Sequence, residues 1–204
     1  MSGSIPVKSS PADPDLVREA KKGSLTAFNA LAARHQTLLY NVAYRVTGNP
    51  DLAADATQEA LILAYRRLHQ YRGGSLRAWL ARIATNCAYD QLRARKRQST
   101  TSLEDMVEEE DRLGALEDPH ASPEDAALAT ELGEAIAAAV LTLPEDQRSV
   151  IALVDYNHFD YEETAQALDI SLGTVKSRLS RARARVRNEL LRRHPELLAS
   201  RMRQ

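Results

Sequence analysis

The feature that most constrains this chain is an acidic, aperiodic stretch that separates two helical halves. Between Glu104 and Asp125 ten carboxylates accompany a single arginine, which gives a net charge of −9. Residues 99–123 show no usable helical repeat and contain two prolines, a pattern typical of a flexible linker. We therefore predict two small domains, at residues 15–98 and 124–193, joined by a flexible acidic linker at residues 99–123.

The composition of both halves favours an all-α fold. Aromatic residues make up only 5% of the 204 residues, whereas alanine, leucine and arginine are abundant. Apolar residues recur at helical spacing, and glycine or proline interrupts them at Gly23, at residues 48–50 and at residues 73–74. Asp51 is the predicted N-cap after the second break. The ends, residues 1–14 and 194–204, are predicted to be a disordered lead-in and a tail.

Several classes of protein are excluded by what the sequence lacks. Cys87 is the only cysteine, so no intrachain disulfide or multi-cysteine zinc site can form. No stretch approaches the roughly 20 apolar residues that a membrane-spanning helix needs, and residues 1–14 lack the apolar core of a signal peptide. We expect a cytoplasmic protein without membrane insertion. We assign it no catalytic residue, metal or cofactor.

The overall charge conceals two strongly basic blocks. The net charge is −1. However, the block from Arg72 to Arg97 holds seven basic residues and one acidic residue, a net charge of +6. The block from Lys176 to Arg193 holds eight basic residues and one acidic residue, a net charge of +7. Clustered charge of this kind attracts polyanions such as nucleic acid. The acidic linker is a candidate shield for one of these basic domains.

Residues 161–180 have the pattern of a helix-turn-helix. Asp160 can cap the first helix, and Glu163 three residues later completes a capping box. Ala165 is small enough for two helices to cross closely. A short turn follows, and Ser171 can cap the second helix.

The second helix of this motif has an apolar stripe and a basic, hydrogen-bonding surface. The predicted inward stripe is Val175, Leu179, Ala182, Val186 and Leu190. The remaining surface carries Lys176, Ser177, Ser180, Arg181 and Arg183. Arginine and lysine can donate to guanine in the major groove, and serine can pair with several bases, so this surface predicts DNA binding. An amphipathic helix with merely solvated charges is the simpler alternative, but it does not explain the capped first helix and the short turn.

A second basic helix follows the glycine pair in the first domain. Arg82, Asn86, Tyr89 and Arg93 are spaced by four, three and four residues, so they share one face. Guanidinium groups can hold phosphates, the ring can stack on a base and the amide can read a base edge, which suits opened DNA. The opposite stripe, Leu76, Leu80, Ile83 and Cys87, should face the core, with Trp79 alongside.

At this point the chain resembles a bacterial extracytoplasmic-function sigma factor of the sigma-70 family. The resemblance covers nearly all of residues 15–191 and is carried by six separated blocks in the family's order. The blocks are residues 27–31 with Gly48, then 55–59, 75–86, 90–93, 143–145 and 173–183. It implies that the two helical domains are the family's regions 2 and 4.

The resemblance also implies roles for particular residues. Region 2 would dock on the β′ clamp of core RNA polymerase, and region 4 would meet the β flap and the −35 element. An anti-sigma partner is expected. The implied polymerase-binding residues are Asp51, Asp55, Gln58, Glu59, Leu61 and Leu63. The implied −10 DNA-binding residues are Tyr71, Arg72, Gly73, Gly74, Arg82, Asn86, Tyr89, Arg93 and Arg97. The implied −35 DNA-binding residues are Ser171, Thr174, Lys176, Ser177, Ser180, Arg181 and Arg183.

Two alternatives to a sigma factor are open at this point. The second domain alone could act as a helix-turn-helix regulator, although such a module usually needs a dimerisation element, and none is evident. A metal-dependent nuclease would have to use Asp55, Glu59 and Asp90, without a histidine pair or a glycine-rich phosphate loop. The small residues Ala56, Thr57 and Ala60 predict a differently packed polymerase interface.

Overall fold

A computed structural model describes residues 12–101 and 123–196, and every regular element in these two ranges is helical. The all-α prediction is therefore confirmed. The first range contains α1 (Asp13–Lys21), α2 (Leu25–Thr47), α3 (Pro50–Arg67), a 3-10 turn (Leu68–Gln70) and α4 (Leu76–Thr101). The second contains α5 (Pro123–Leu141), α6 (Glu145–Ile151), a π-helical turn (Ala152–Tyr156), α7 (Tyr161–Leu168) and α8 (Leu172–Arg193). Most of the predicted linker, residues 102–122, lies outside the described residues. The predicted shielding of a basic domain concerns these same residues.

The first domain packs α2, α3 and α4 around a core of small and aliphatic side chains. Leu39, Val42 and Val46 of α2 are fully buried, and alanines of α3 and α4 let the three helices approach closely. The predicted inward stripe of α4 is buried as expected. Burial also raises the pKa of the Cys87 thiol to about 11, so this side chain behaves as a small apolar residue.

Helix α1 begins at Asp13, inside the predicted disordered lead-in of residues 1–14. Its first turn carries Asp13 and Pro14, both favourable at a helix N-terminus. The Asp13 carboxylate also accepts from Arg34 and lies 2.8 Å from His35 Nε2, which fastens α1 to α2. A tertiary contact therefore orders residues whose composition alone suggested a loop.

The N-cap of α3 is Asn49 and not Asp51 as predicted. The side chain of Asn49 accepts from the backbone N–H of Leu52 at 2.9 Å. Pro50 occupies the first helical turn, where its missing N–H costs nothing, so Asp51 already lies inside the helix. There its charge still favours the positive end of the helix dipole.

The second domain packs α5 and α6 against the apolar stripe of α8. All five predicted stripe residues of α8 are buried, and they contact Ile151 and Val140 among others. The capping box of α7 is present, with Asp160 accepting from the N–H of Glu163 at 2.7 Å. Ser171 caps α8 by accepting from Thr174 at 3.1 Å. The local signals of the helix-turn-helix are therefore confirmed.

The two domains lie against each other in the described structure. Helix α4 packs on α7, and α2 packs on α5, α6 and the π-helical turn. Gly48 ends α2 with a φ of +67°, and a Cβ atom there would lie 2.5 Å from the side chain of Leu141 in α5. The positive φ therefore favours glycine, and any larger residue would also displace the Leu141 side chain. The sequence predicted no such contact between the domains.

Candidate nucleic-acid and polymerase interfaces

One face of α3 is an exposed stripe that is acidic at its start and apolar at its end. Asp51, Asp55 and Gln58 are exposed, as predicted for a docking surface. At spacings of four and three residues the stripe continues to Ile62 and Tyr65, which are 46% and 43% exposed. Sequence reasoning missed these two residues, because apolar residues at helical spacing usually belong to the core.

Other predicted docking residues of α3 have different surroundings. Leu61 and Leu63 are only partly exposed and pack against the core of the first domain. Glu59 is exposed and accepts from Gln91 of α4 at 3.3 Å. The small residues Ala56, Thr57 and Ala60 are buried. They let α3 approach its neighbours in the core of the first domain. Their predicted effect on the packing of the polymerase interface stays a prediction.

A surface cleft of about 750 Å³ lies beside the glycine loop. Tyr71 forms one side, and its hydroxyl donates to the Gly74 carbonyl at 2.6 Å. Lys21 of α1 donates to the Tyr71 carbonyl at 2.5 Å, and its ammonium lies 5.5 Å from the centre of the Tyr71 ring. Gly73 and Gly74 have φ values of +102° and +89°. Helix α1 therefore forms part of this cleft, to which sequence reasoning assigned no residue of that helix.

Asn86 does not lie at this cleft. It is exposed near the middle of α4 and borders a second cleft, between α4 and the helices of the other domain. Arg82 lines that second cleft, whereas Arg72 lines the cleft beside the loop. The predicted −10 residues therefore form two groups, one beside the loop and one along α4. The last residue of the second group, Arg97, is exposed.

Tyr89 is not exposed on the face of α4, contrary to the prediction. It is 6% exposed, and its hydroxyl donates to the Glu145 carbonyl at 2.6 Å and lies 2.8 Å from Ser149 Oγ. Burial under α6 raises its pKa to about 12. The sequence placed Tyr89 correctly on its helix but could not reveal what covers it. Its role in DNA binding stays a prediction.

Helix α8 presents a polar surface at its N-terminal half. Lys176, Ser177, Ser180 and Arg181 are exposed together on the side away from the apolar stripe. Arg181 donates from Nε to the Ser177 carbonyl at 3.2 Å and from a terminal nitrogen to the Ser177 hydroxyl at 3.2 Å. This arrangement holds the guanidinium group along the helix surface.

The first and last residues of the predicted −35 set, Ser171 and Arg183, are less available for DNA contacts than the residues between them. The Ser171 hydroxyl is the cap of α8 and lies 2.8 Å from Thr174 Oγ1. Arg183 pairs with Asp155 through two contacts of 3.0 and 2.5 Å. The hydrogen bonds with Asp155 raise the pKa of Arg183. Arg183 would have to leave this carboxylate before it could hold a phosphate.

The described residues contain no cluster of histidine, cysteine, aspartate and glutamate that could hold a metal ion. None of the helices in the described ranges is long and apolar enough to cross a membrane.

The two domains match two parts of one protein family. Residues 31–98 match the family described as sigma-70 region 2, and residues 133–186 match sigma-70, region 4. The sigma-E factor of Escherichia coli K12, an ECF RNA polymerase sigma factor, is 38% identical over 181 residues, which cover 87% of this chain and 94% of the relative. The chain belongs to the ECF sigma factors of the sigma-70 family.

Further similarities agree with this assignment. The ECF sigma factor SigE of Mycolicibacterium smegmatis is 35% identical, covering 88% of this chain and 67% of that protein. The sigma factor RpoE of Bartonella quintana, solved in complex with the anti-sigma factor NepR, aligns with a TM-score of 0.62 at 28% identity over 81% of this chain and 98% of that one. CnrH, in complex with the cytosolic domain of CnrY, aligns with a TM-score of 0.63 at 25% identity over 88% and 97%.

The ECF sigma factor therefore carries region 2 in its first domain and region 4 in its second. Sigma factors direct transcription initiation and are non-catalytic regulators. Because the chain matches region 2 as well as region 4, a stand-alone helix-turn-helix regulator is not favoured.

Proposed function

We propose that this sigma factor docks on core RNA polymerase and reads promoter DNA at two separate places. Region 2 would bind the β′ clamp through α3 and the −10 element through the loop cleft and α4. Region 4 would bind the −35 element through α8. The observation that carries this proposal is the polar surface of α8, held on a capped helix-turn-helix at the opposite end of the chain from the region 2 surfaces.

The α3 stripe supports docking on a helical partner. Its exposed apolar residues, Ile62 and Tyr65, follow the carboxylates at the spacing of one helix face. A partner helix can bury such a stripe, while the acidic end provides charge complementarity to basic residues. We assign this stripe, together with Glu59, to the β′ clamp.

Region 4 offers an apolar groove for a second contact with polymerase. The groove has a volume of about 240 Å³ and lies between α5, the end of α6 and α8. Ile136, Val140 and Leu190 are among the side chains that line it. Its apolar walls suit a helix or loop of the β flap. We also propose that an anti-sigma factor binds this chain, by analogy with RpoE, which was solved in complex with the anti-sigma factor NepR.

The loop cleft suits the capture of a single unstacked base. Its volume, about 750 Å³, accommodates a nucleotide, and Tyr71 offers an aromatic ring at its wall. Lys21 and Arg72 supply positive charge for the neighbouring phosphates. Capture of a base needs no covalent chemistry. We propose that the protein works in the cytoplasm, where polymerase and DNA are found.

Binding to bacterial core polymerase tests the proposal. The wild-type protein should co-elute with core polymerase and support promoter-dependent transcription. The double variant Ile62→Ser/Tyr65→Ser should weaken binding at least tenfold, because it removes the apolar half of the stripe. Arg67→Ser is the matched control, since Arg67 is exposed at the end of the same helix and, five residues after Ile62, faces away from the stripe. Failure of the wild-type protein to bind polymerase would overturn the proposed function.

A further inference from the structure

Three contacts hold Tyr71 at the wall of the loop cleft. Its backbone carbonyl accepts from the Lys21 ammonium at 2.5 Å, and its hydroxyl donates to the Gly74 carbonyl at 2.6 Å. The centre of its ring lies 5.5 Å from that of Trp79, with an angle of 52° between the two ring planes. Because these contacts reach the backbone, the ring and the hydroxyl of Tyr71, they fix both its place and its direction.

The glycine pair gives the loop little stiffness of its own. Gly73 and Gly74 both have positive φ values, and a Cβ atom at Gly73 would have no neighbour within 4 Å. Glycine in such open surroundings can adopt many backbone conformations. At the far end of the loop, Ser75 accepts from the N–H of Ala78 at 3.1 Å and so caps α4. This cap fixes where the loop ends but not where its ring lies, so Tyr71 relies on contacts with neighbouring helices.

Helix α1 provides a firm support for the Lys21 ammonium. Its apolar side, Leu16, Val17 and Ala20, is buried in the core of the first domain. At its start the Asp13 carboxylate is fastened to α2, and at its end Lys21 is the last helical residue. The helix dipole favours a cation at this end. The ammonium therefore reaches the loop from a helix that is itself fixed in place.

We propose that Lys21 is a positioning residue for base capture, which holds Tyr71 in the orientation in which its ring receives an unstacked −10 base. This inference rests on the proposed function, and it adds a second role to the positive charge that Lys21 provides for phosphates. An aromatic ring stabilises an unstacked base by stacking on it. A ring that is already oriented loses less conformational entropy when the base arrives. Because Lys21 acts through Tyr71, its effect should depend on which base is captured.

Replacement of Lys21 in the full chain, assembled with core polymerase, tests the proposal. Lys21→Met keeps a long side chain but cannot donate to the Tyr71 carbonyl. With this variant, open complexes should form about fivefold more slowly at a promoter mapped for this protein. On templates that each differ at one −10 position, the preference for the native base should fall by the same factor at the captured position and stay unchanged at the others. Lys21→Arg keeps a donor and a positive charge, so it should behave like the wild-type protein.

Hydrogen exchange in the protein without DNA gives a second readout, to which phosphates cannot contribute. The Tyr71 N–H donates to the Leu68 carbonyl at 3.1 Å, so its exchange rate reports how firmly the start of the loop is held. Exchange at Tyr71 should be about fivefold faster in Lys21→Met than in the wild-type protein, and unchanged exchange along α2 will show that the variant is folded.

Lys22→Met is the matched control for both measurements. Lys22 is exposed one residue later, pairs with Glu19 at 3.1 Å and lies outside the set of residues that line the cleft. Its replacement removes the same charge, so promoter opening and exchange at Tyr71 should both stay at the wild-type rate.

The outcomes separate this inference from the proposed function. An equal loss on every −10 template, or unchanged exchange at Tyr71 in Lys21→Met, overturns the positioning role, because Lys21 then contributes only charge. Losses of the same size in Lys22→Met, or in Lys21→Arg, overturn it as well. In all of these cases the wild-type holoenzyme still opens the promoter. If the wild-type protein fails to bind polymerase, the proposed function itself is overturned.

Discussion

Arg181, which we propose reads a base of the −35 element, is held in one direction by its own helix. Its guanidinium group is exposed, yet two hydrogen bonds to Ser177 fix its direction along the helix. A side chain that is already oriented loses less conformational entropy when it binds. The group can then donate two hydrogen bonds to the major-groove edge of guanine.

Arg181→Ala should cost about 1–3 kcal/mol of discrimination between the preferred −35 sequence and its single-base variants. The measurement is the affinity of the holoenzyme for a series of promoters that differ at one −35 position. Arg185→Ala is the control, because an exposed arginine further along α8 should contact only phosphate and weaken all promoters alike. If Arg181→Ala also weakens every promoter equally, Arg181 is a phosphate contact.

Asp13 should make the stability of region 2 sensitive to acid. Partial burial raises its pKa, but hydrogen bonds from Arg34 and His35 outweigh burial and hold the pKa below its ordinary value. A lowered pKa stabilises the folded state above the unfolded pKa of about 3.9, and this contribution is lost as the pH falls through the folded value. The free energy of unfolding should therefore fall less for Asp13→Asn than for the wild-type protein between about pH 5 and pH 3.

Asp15→Asn is the comparison for this pH series, because Asp15 is on the same helix and its side chain is 53% exposed. It should show the same acid dependence as the wild-type protein. Parallel curves for Asp13→Asn and the wild-type protein would show that the Asp13 contacts do not stabilise α1.

At the scale of single elements, α7 depends on its capping box. Asp160 accepts from the Glu163 N–H at 2.7 Å, and Glu163 reaches back to the Asp160 N–H at 3.4 Å. Helix α7 has only eight residues, so unsatisfied groups at its start are a large share of its backbone.

Asp160→Ala should therefore lower the free energy of unfolding by about 0.5–2 kcal/mol, measured by urea denaturation. Asp160→Ser retains a capping oxygen and should lose much less. Equal losses for the two variants would show that the cap contributes little and that the charge of Asp160 matters instead.

Local signals explain which elements the sequence could predict. The caps at Asp160 and Ser171 and the inward stripe of α8 depend on neighbours within one or two helical turns, so they were read correctly. Asn49 was missed as a cap because Asp51 is an equally good capping residue, and the position of Pro50 decides between them. Ile62 was missed on the docking stripe because sequence spacing cannot distinguish an apolar residue in the core from one awaiting a partner.

In the whole molecule, the contacts between the two domains could not be predicted from the sequence. The pairs Arg77–Glu163 and Arg82–Asp169 join residues far apart in the chain, and neither partner carries a local sign of the other. The clustered charge correctly indicated a basic face on α4. The predicted shielding by the acidic linker concerns residues 102–122, which lie outside the described residues. Ordered carboxylates of region 4 cover the α4 face instead.

Transcription from a randomised promoter library shows whether this chain gives core polymerase its choice of promoter. Core polymerase with the purified protein should yield transcripts whose templates share a −35 and a −10 element at one fixed spacing. Polymerase alone should yield none of these transcripts. Transcripts without a shared pair of elements, or no transcripts beyond those of polymerase alone, would show that this chain does not select promoters.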